Sequence, residues 1–282
     1  MIKIKRFCFK KDKLIDLLKK SRDFNSFNTS LEKYYYFKPR LLRFFIKDIR
    51  YIYLDKDLVG YLWFENIYEK TYSIKDLVID RNLGDKLNKD KDKFFEKGLF
   101  IYECEDTDFS NSILKSLGFR KTSETLLMKK DITAMSDIDL PNNISFKFME
   151  NNKEEDLRCN LQNNIFEEDS RIPLTLDDIY YDQCQEYYLP NSSVFIRNGN
   201  EAVGYGQIIF NNGSYFIVNL GIVKEYRGMG FSTYLLNHLV NIAYNRGIKE
   251  IAIRVDKHNE IAKKLYSTNG FRFVNNVSIW ER

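Results

Sequence analysis

Cysteine and histidine are scarce in this chain, four and two respectively in 282 residues, and neither is clustered. Cys8, Cys104, Cys159 and Cys184 lie far apart, with no CxxC pair and no histidine at metal-ligand spacing. That pattern excludes a disulfide framework and a zinc site, and it reads as reduced thiols in a cytosolic, cytoplasmic protein. Long apolar runs are missing too. No stretch approaches the roughly 18 to 20 residues of a membrane span, and the start, MIKIKRFCFKKDK, alternates charge with apolar residues instead of forming a signal-peptide core. Charge of one sign is nearly balanced. Lys plus Arg (44) exceeds Asp plus Glu (40) by four, too small an excess over this length to point to nucleic acid or an anionic membrane as partner.

What is present is a globular composition, 44% hydrophobic with 19 Tyr and 22 Phe, in a chain long enough for one large domain or two ordinary ones. The clearest join is DITAMSDIDLPNN, residues 131–143, where Pro141-Asn142-Asn143 precede a fresh apolar run. This divides the chain into 1–131, a linker at 132–143, and 144–282.

The C-terminal part reads as an α+β domain. A strand is expected at 144–149, helices at 151–166 and 175–188, and a hairpin through Asn198-Gly199 with strands at 193–198 and up to 210. A long strand follows at 215–224, then a helix at 232–245. On that helix Leu235, Leu236, Leu239, Val240 and Ala243 form one apolar face, and Gly247 ends it. A strand at 249–255, a helix at 260–268 and a final strand pair near 271–281 complete the part. Antiparallel hairpins followed by a strand–helix–strand crossover imply a mixed sheet, largely antiparallel, flanked by helices.

The N-terminal part repeats this order, with strands at 2–9, 49–54, 58–66, 72–79, 99–104 and 121–129. Its helices are expected at 11–20, 30–37 and 110–116, with a polar segment at 85–97. Gly118-Phe119 matches Gly270-Phe271, and Arg81-x-x-Gly84 matches Arg227-x-x-Gly230 at nearly the same offset. An internal duplication explains both; a single two-lobed domain with coincidental pairs is the other arrangement compatible with them.

Two constellations carry chemistry. In Val223-Lys224-Glu225-Tyr226-Arg227-Gly228-Met229-Gly230-Phe231-Ser232-Thr233, a strand ends, two glycines follow, and a helix begins with Ser232 or Thr233 as expected N-cap. Such a junction points main-chain N–H groups outward at the positive end of a helix, a seat for phosphate or pyrophosphate. Arg227 adds a charge-assisted contact. The same residues also suit an ordinary turn before a helix. The second constellation is Asn259-x-x-Ala262-x-x-Leu265-Tyr266-x-x-x-Gly270-Phe271, where Asn259, Ala262 and Tyr266 lie on one stripe. Taken singly, Asn259 serves as an N-cap, Gly270 as a helix stop and Tyr266 as a packing residue. Their conjunction behind the glycine loop is what points to a ligand.

With both on the page, the sequence resembles the GNAT superfamily of N-acetyltransferases. The family's pyrophosphate loop, Arg/Gln-x-x-Gly-x-Gly/Ala, is met by Arg227 and Gly230, with Ser232 in the last place; the later Asn-x-x-Ala-x-x-Leu-Tyr-x-x-x-Gly-Phe motif is met throughout. The resemblance covers 144–282 strongly and 1–131 faintly, a tandem of two GNAT-like domains with a degenerate first copy. It implies acetyl-CoA as cosubstrate. The loop 228–233 would take its pyrophosphate, and the strand around Leu220, Ile222 and Val223 its pantetheine. Asn259 and Ala262 would line the arm, and Tyr266 would be the acid for the leaving thiolate. The acceptor would be a small-molecule or peptide amine.

The base is not encoded in a motif. Val218 and Asn219 stand where many relatives carry a carboxylate. Glu167, Glu168 and Asp169 are candidates that also read as a solvated patch, and His258 as a plain loop histidine. In the first copy Lys86, Thr107 and Leu114 replace Ser232, Asn259 and Tyr266, and a leucine donates no proton. The competing functional class is a GNAT-fold module that binds acyl-CoA without turnover. A P-loop nucleotide binder is disfavoured by the missing Lys-Ser/Thr after the glycines. No motif speaks to oligomeric state.

Overall fold

The computed structural model describes residues 2–6, 16–29, 31, 49–80, 94–168 and 171–282. Several expected features lie outside them: residues 7–9 of the first strand, the start of the first helix, the helix at 30–37, Arg81, Gly84, Lys86, most of the 85–97 segment, Cys8 and Asp169. Among the described residues no helix is long and apolar enough to cross a membrane.

Contacts divide the chain into two compact units, one made of 1–125 with 275–282, the other of 126–274. In the first, strands β1 (Ile2–Arg6), β2 (Ile49–Leu54), β3 (Asp57–Tyr68) and β4 (Thr71–Ile79) form an antiparallel series. β5 (Leu99–Glu105) then joins parallel to β4, with helices α1 (Ser21–Phe24) and α2 (Asp108–Ser116) beside the strands. Aromatic residues fill its core: Phe64, Phe94, Phe95 and Phe100 meet edge to face or tilted around Leu114 and Trp280.

The second unit holds β6 (Arg120–Asp131, from Leu126 on), β7 (Ile144–Phe148), α3 (Glu155–Ile165), α4 (Leu176–Gln183), β8 (Tyr188–Asn198), β9 (Glu201–Asn211) and β10 (Ser214–Ile222). α5 (Phe231–Asn245), β11 (Glu250–Asp256) and α6 (Glu260–Thr268) follow. Its strands lie in the order β6-β11-β10-β9-β8-β7. Pairs β7–β8, β8–β9 and β9–β10 are antiparallel and β10–β11 is parallel. This is the mixed, mostly antiparallel α/β arrangement expected. The apolar face read on α5 is the buried one: Leu235, Leu236, Leu239, Val240 and Ala243 are all fully enclosed.

Three expectations are corrected. The final strand pair near 271–281 is a single strand, β12 (Arg272–Glu281). The compact units also do not follow the cut at 132–143. Residues 277–281 of β12 pair with β5 of the first unit, while 126–131 of β6 belong to the second. Which edge a strand joins depends on main-chain groups left open elsewhere in the fold, and no local pattern records that. Nor is 132–143 a free linker. Ile132 N–H donates to the Lys249 carbonyl, and the Asn241 carboxamide of α5 both accepts from and donates to the main chain of Ser136.

Candidate functional site

In β10 the ladder to β9 shifts between Val218 and Gly221, and Asn219 at the shift has a left-handed φ of +55°. This bulge bends the strand. β10 meets β11 only at Phe216–Ala252 and Ile217–Ile253; beyond those positions the two parallel strands diverge. Between them opens a cleft of about 270 Å³. Val218, Asn219 and Leu220 form one wall and Arg254, Val255 and Asp256 the other, with Asn259, Ala262 and Tyr266 of α6 alongside and Phe166 and Arg171 from the segment after α3. At Gly221 a side chain would collide with Ile165 and the Phe166 ring, so the end of α3 packs directly on the bulged strand.

The loop at the divergent end follows from its glycines. Gly228 and Gly230 both have left-handed φ, +80° and +86°, which residues with a Cβ adopt at a cost. Gly230, not Ser232 or Thr233, is the N-cap of α5, and the helix starts at Phe231. The expected hydroxyl cap is thus corrected: the left-handed glycine turn already brings the Gly230 carbonyl to the N–H groups of Thr233 and Tyr234 (3.0 and 3.2 Å). Upstream of these, the N–H groups of residues 228–232 donate to no main-chain carbonyl among the described residues. Five consecutive donors at a helix N-terminus form an anion seat.

Each expected site residue has a place around this frame. Arg227 is engaged with the protein: Nε donates to the Ile222 carbonyl (3.0 Å) and a terminal nitrogen to that of Ile165 (2.7 Å). Phe231 is buried and meets Tyr226 edge to face, anchoring the loop, while Met229 is exposed. Ile222 and Val223 are buried, so they offer a ligand main chain only; Leu220 reaches the cleft. Asn259 caps α6, its carboxamide oxygen accepting from Ala262 N–H (3.0 Å), and lines the cleft as well. Capping the helix and lining the cleft are compatible, because only its carboxamide oxygen is engaged by the cap.

Tyr266 is 6% exposed, and its hydroxyl has no hydrogen-bond partner among the described residues although it borders the cleft. Burial pushes its phenol up to about 12.

Of the candidate bases, Glu167 and Glu168 are exposed and do not line the cleft. His258 is likewise outside the lining, its N–H donating to Asp256 Oδ1 at 2.7 Å. His238 is stacked on Phe146 at 3.9 Å, and burial pulls its pKa down to about 4. The sequence reading missed Arg171, Arg254 and Asp256. The latter two were within reach: alternation along β11 sets Ala252, Arg254 and Asp256 on one face, just past the last residue paired with β10. Loss of water draws the Arg254 guanidinium down to about 10, and its side chain lies 5.5 Å from the Phe216 ring.

Residues 159–271 match the model of the acetyltransferase (GNAT) family. Over 56 residues the chain is 41% identical to N-alpha-acetyltransferase 30 of Schizosaccharomyces pombe, a match covering 20% of this chain and 37% of that protein. Little more than a third of the curated relative is therefore spanned. Among solved structures, a GCN5-related N-acetyltransferase from Sphaerobacter thermophilus aligns with a TM-score of 0.71 at 15% identity, over 100% of this chain and 95% of that one. A tandem GNAT protein from the clavulanic acid biosynthesis pathway aligns with a TM-score of 0.57 at 8% identity, over 100% and 98%. At such identities these two likenesses speak for the fold alone.

Proposed function

We propose that the chain is an N-acetyltransferase that moves an acetyl group from acetyl-CoA to a primary amine by direct attack in a ternary complex, a reading supported by the match of residues 159–271 to the acetyltransferase (GNAT) family model. The observation that carries this reading is the conjunction of five N–H groups at 228–232 that, among the described residues, donate to no main-chain carbonyl with a cleft whose one phenol among the described residues, Tyr266, borders it. Both lie at the end where β10 and β11 diverge, so a ligand seated on the loop extends into the cleft.

Acetyl-CoA, when bound, supplies a thioester carbonyl for the amine to attack. The chain's residues divide the remaining work. The N–H groups of Gly228 to Ser232 hold the diphosphate, and the free Ser232 hydroxyl adds a donor. Arg227 holds the loop in shape through Ile222 and Ile165 rather than acting mainly as counter-charge. Asn219 and Leu220, released from β9 by the bulge, position the acyl end, with a main-chain N–H near Ile222 as oxyanion donor. Tyr266, kept protonated by burial, donates to the departing thiolate. With no carboxylate at Val218 or Asn219, the acceptor, a small-molecule or peptide amine, reaches the cleft neutral or loses its proton through water.

The N-terminal unit is read as a second, degenerate GNAT-like copy. Thr107 caps α2, accepting from Ser110 N–H at 3.1 Å, and Leu114, in the place of Tyr266, is buried in the core. The deciding experiment is an acceptor screen with thiol-release detection on the purified chain. Thiol release dependent on an amine supports transfer; acetyl-CoA binding with no release for any amine, peptide or amino sugar would establish the non-catalytic binder instead.

A further inference from the structure

The two units share a sequence of elements. An antiparallel strand pair leads into a strand that pairs parallel with the next one, and a helix with a capped N-terminus follows. In each unit the parallel pairing is brief: β4 and β5 meet only at Thr71–Leu99, Tyr72–Phe100 and Ser73–Ile101, as β10 and β11 meet only at 216–217 and 252–253. In the second unit the gap beyond is the open cleft. In the first, residues 25–29 fill it.

The segment bonds to both diverging strands. On the β4 side, Thr29 N–H donates to the Lys75 carbonyl (2.7 Å) and Asn28 Nδ2 to that of Leu77 (3.1 Å), alternate residues facing the gap. On the β5 side, Asn25 Nδ2 donates to the Glu103 carbonyl (2.8 Å) and Asn25 Oδ1 accepts from Glu105 N–H (3.3 Å). The Tyr102 hydroxyl joins the two carboxamides, donating to Asn28 Oδ1 (2.7 Å) and accepting from Asn25 Nδ2 (2.9 Å). Asn25 and Asn28 are 2% and 1% exposed.

We infer that the gap between β4 and β5 is a pantetheine-type slot whose occupant is the chain's own segment 25–29. The chemistry matches. A strand edge left open by divergence presents alternating carbonyls and N–H groups, and amides satisfy both kinds. The pantetheine arm of coenzyme A carries two amides; here two asparagine carboxamides meet the same edges. Entry of a cofactor would strip partners from the carbonyls of Lys75, Leu77 and Glu103, the Glu105 N–H and the Tyr102 hydroxyl at once, each costly to leave buried and unpaired. The first unit therefore takes no cofactor, and the chain binds one acetyl-CoA. This rests on the reading of the second unit as the cofactor-binding one.

The test uses the full chain and its two tryptophans, Trp63 and Trp280, both buried and both in the first unit. Calorimetric titration with acetyl-CoA should give one site per chain. Asn28→Asp preserves shape but removes the donor to Leu77 and Ser21. It should lower the melting temperature reported by tryptophan emission by several degrees, while the acetyl-CoA stoichiometry and Kd stay within about twofold. The milder Asn28→Ser provides the same comparison if the aspartate variant does not fold. Two acetyl-CoA per chain, or an unchanged tryptophan-reported melt in both variants, overturns the self-filled slot alone. No acetyl-CoA binding at all overturns the reading of the second unit together with the equivalence built on it.

Discussion

Arg227 and Ile165, 62 residues apart, are joined by a 2.7 Å hydrogen bond from the guanidinium to the main-chain carbonyl where α3 ends. The same guanidinium holds the Ile222 carbonyl at the end of β10. One side chain thus fixes the glycine loop to the strand before it and to the helix whose end packs on the bulge. A residue that looks like a phosphate ligand in the sequence is, in the fold, a brace for the glycine loop.

Arg227→Gln is accordingly expected to act on both stability and binding. Hydrogen bonds from a charged donor contribute about 1.5–3 kcal/mol each, discounted here for solvent exposure. A loss of about 1 kcal/mol in urea unfolding should accompany a roughly tenfold weaker acetyl-CoA Kd. An unchanged unfolding midpoint with weakened binding would instead make Arg227 a direct phosphate ligand.

At Gly230 the left-handed φ and the exposed N–H groups act together. Gly230→Glu introduces a strained residue, at a cost of about 1–2 kcal/mol, and an anion beside the proposed diphosphate seat. Acetyl-CoA should raise the melting temperature of the native chain and leave that of the variant unmoved. A variant that responds like the native chain removes the loop from cofactor binding.

Among the described residues the Tyr266 hydroxyl has no hydrogen-bond partner, so Tyr266→Phe should melt within a degree or two of the native chain. If the phenol is the acid for the thiolate, turnover falls about 10²- to 10⁴-fold while acetyl-CoA affinity holds within about threefold. Undiminished turnover would take Tyr266 out of the chemistry.

The raised Tyr266 pKa sets a pH dependence. A group held up at about 12 keeps its proton through the neutral and mildly alkaline range and loses it only as pH rises through that value. The profile of kcat/KM should therefore climb as the acceptor amine deprotonates and show no descending limb below about pH 10. A descending limb near pH 8 to 9 that disappears in Tyr266→Phe would mean that burial does not raise the phenol.

Much of this was legible in residues alone. The stripe Asn259, Ala262, Tyr266 and the stop at Gly270 encode a short capped helix by spacing, and α6 spans the expected 260–268. The apolar face of α5 was equally explicit. The cap of α5 was misplaced because serine and threonine advertise capping in any sequence, whereas Gly230 caps through a φ that only the folded loop reveals. Arg254 and Asp256 were passed over because a charged residue in a strand reads as solvent-facing until a neighbouring strand is seen to leave it.

Periodic and covalent features are written in the chain alone: element order, apolar faces, the glycine loop and the phenol at its fixed distance along a helix. These depend on contacts within a few residues, so one chain's pattern suffices. Which gap between strands is open and which is filled emerges only from long-range folding. Asn25 and Asn28 look like loop residues until β4 and β5, roughly 50 and 80 positions further along, are folded around them. Whether an open strand edge is satisfied by its own chain or left for a ligand is a matter of hydrogen-bond partners across the whole unit, and no local pattern carries it.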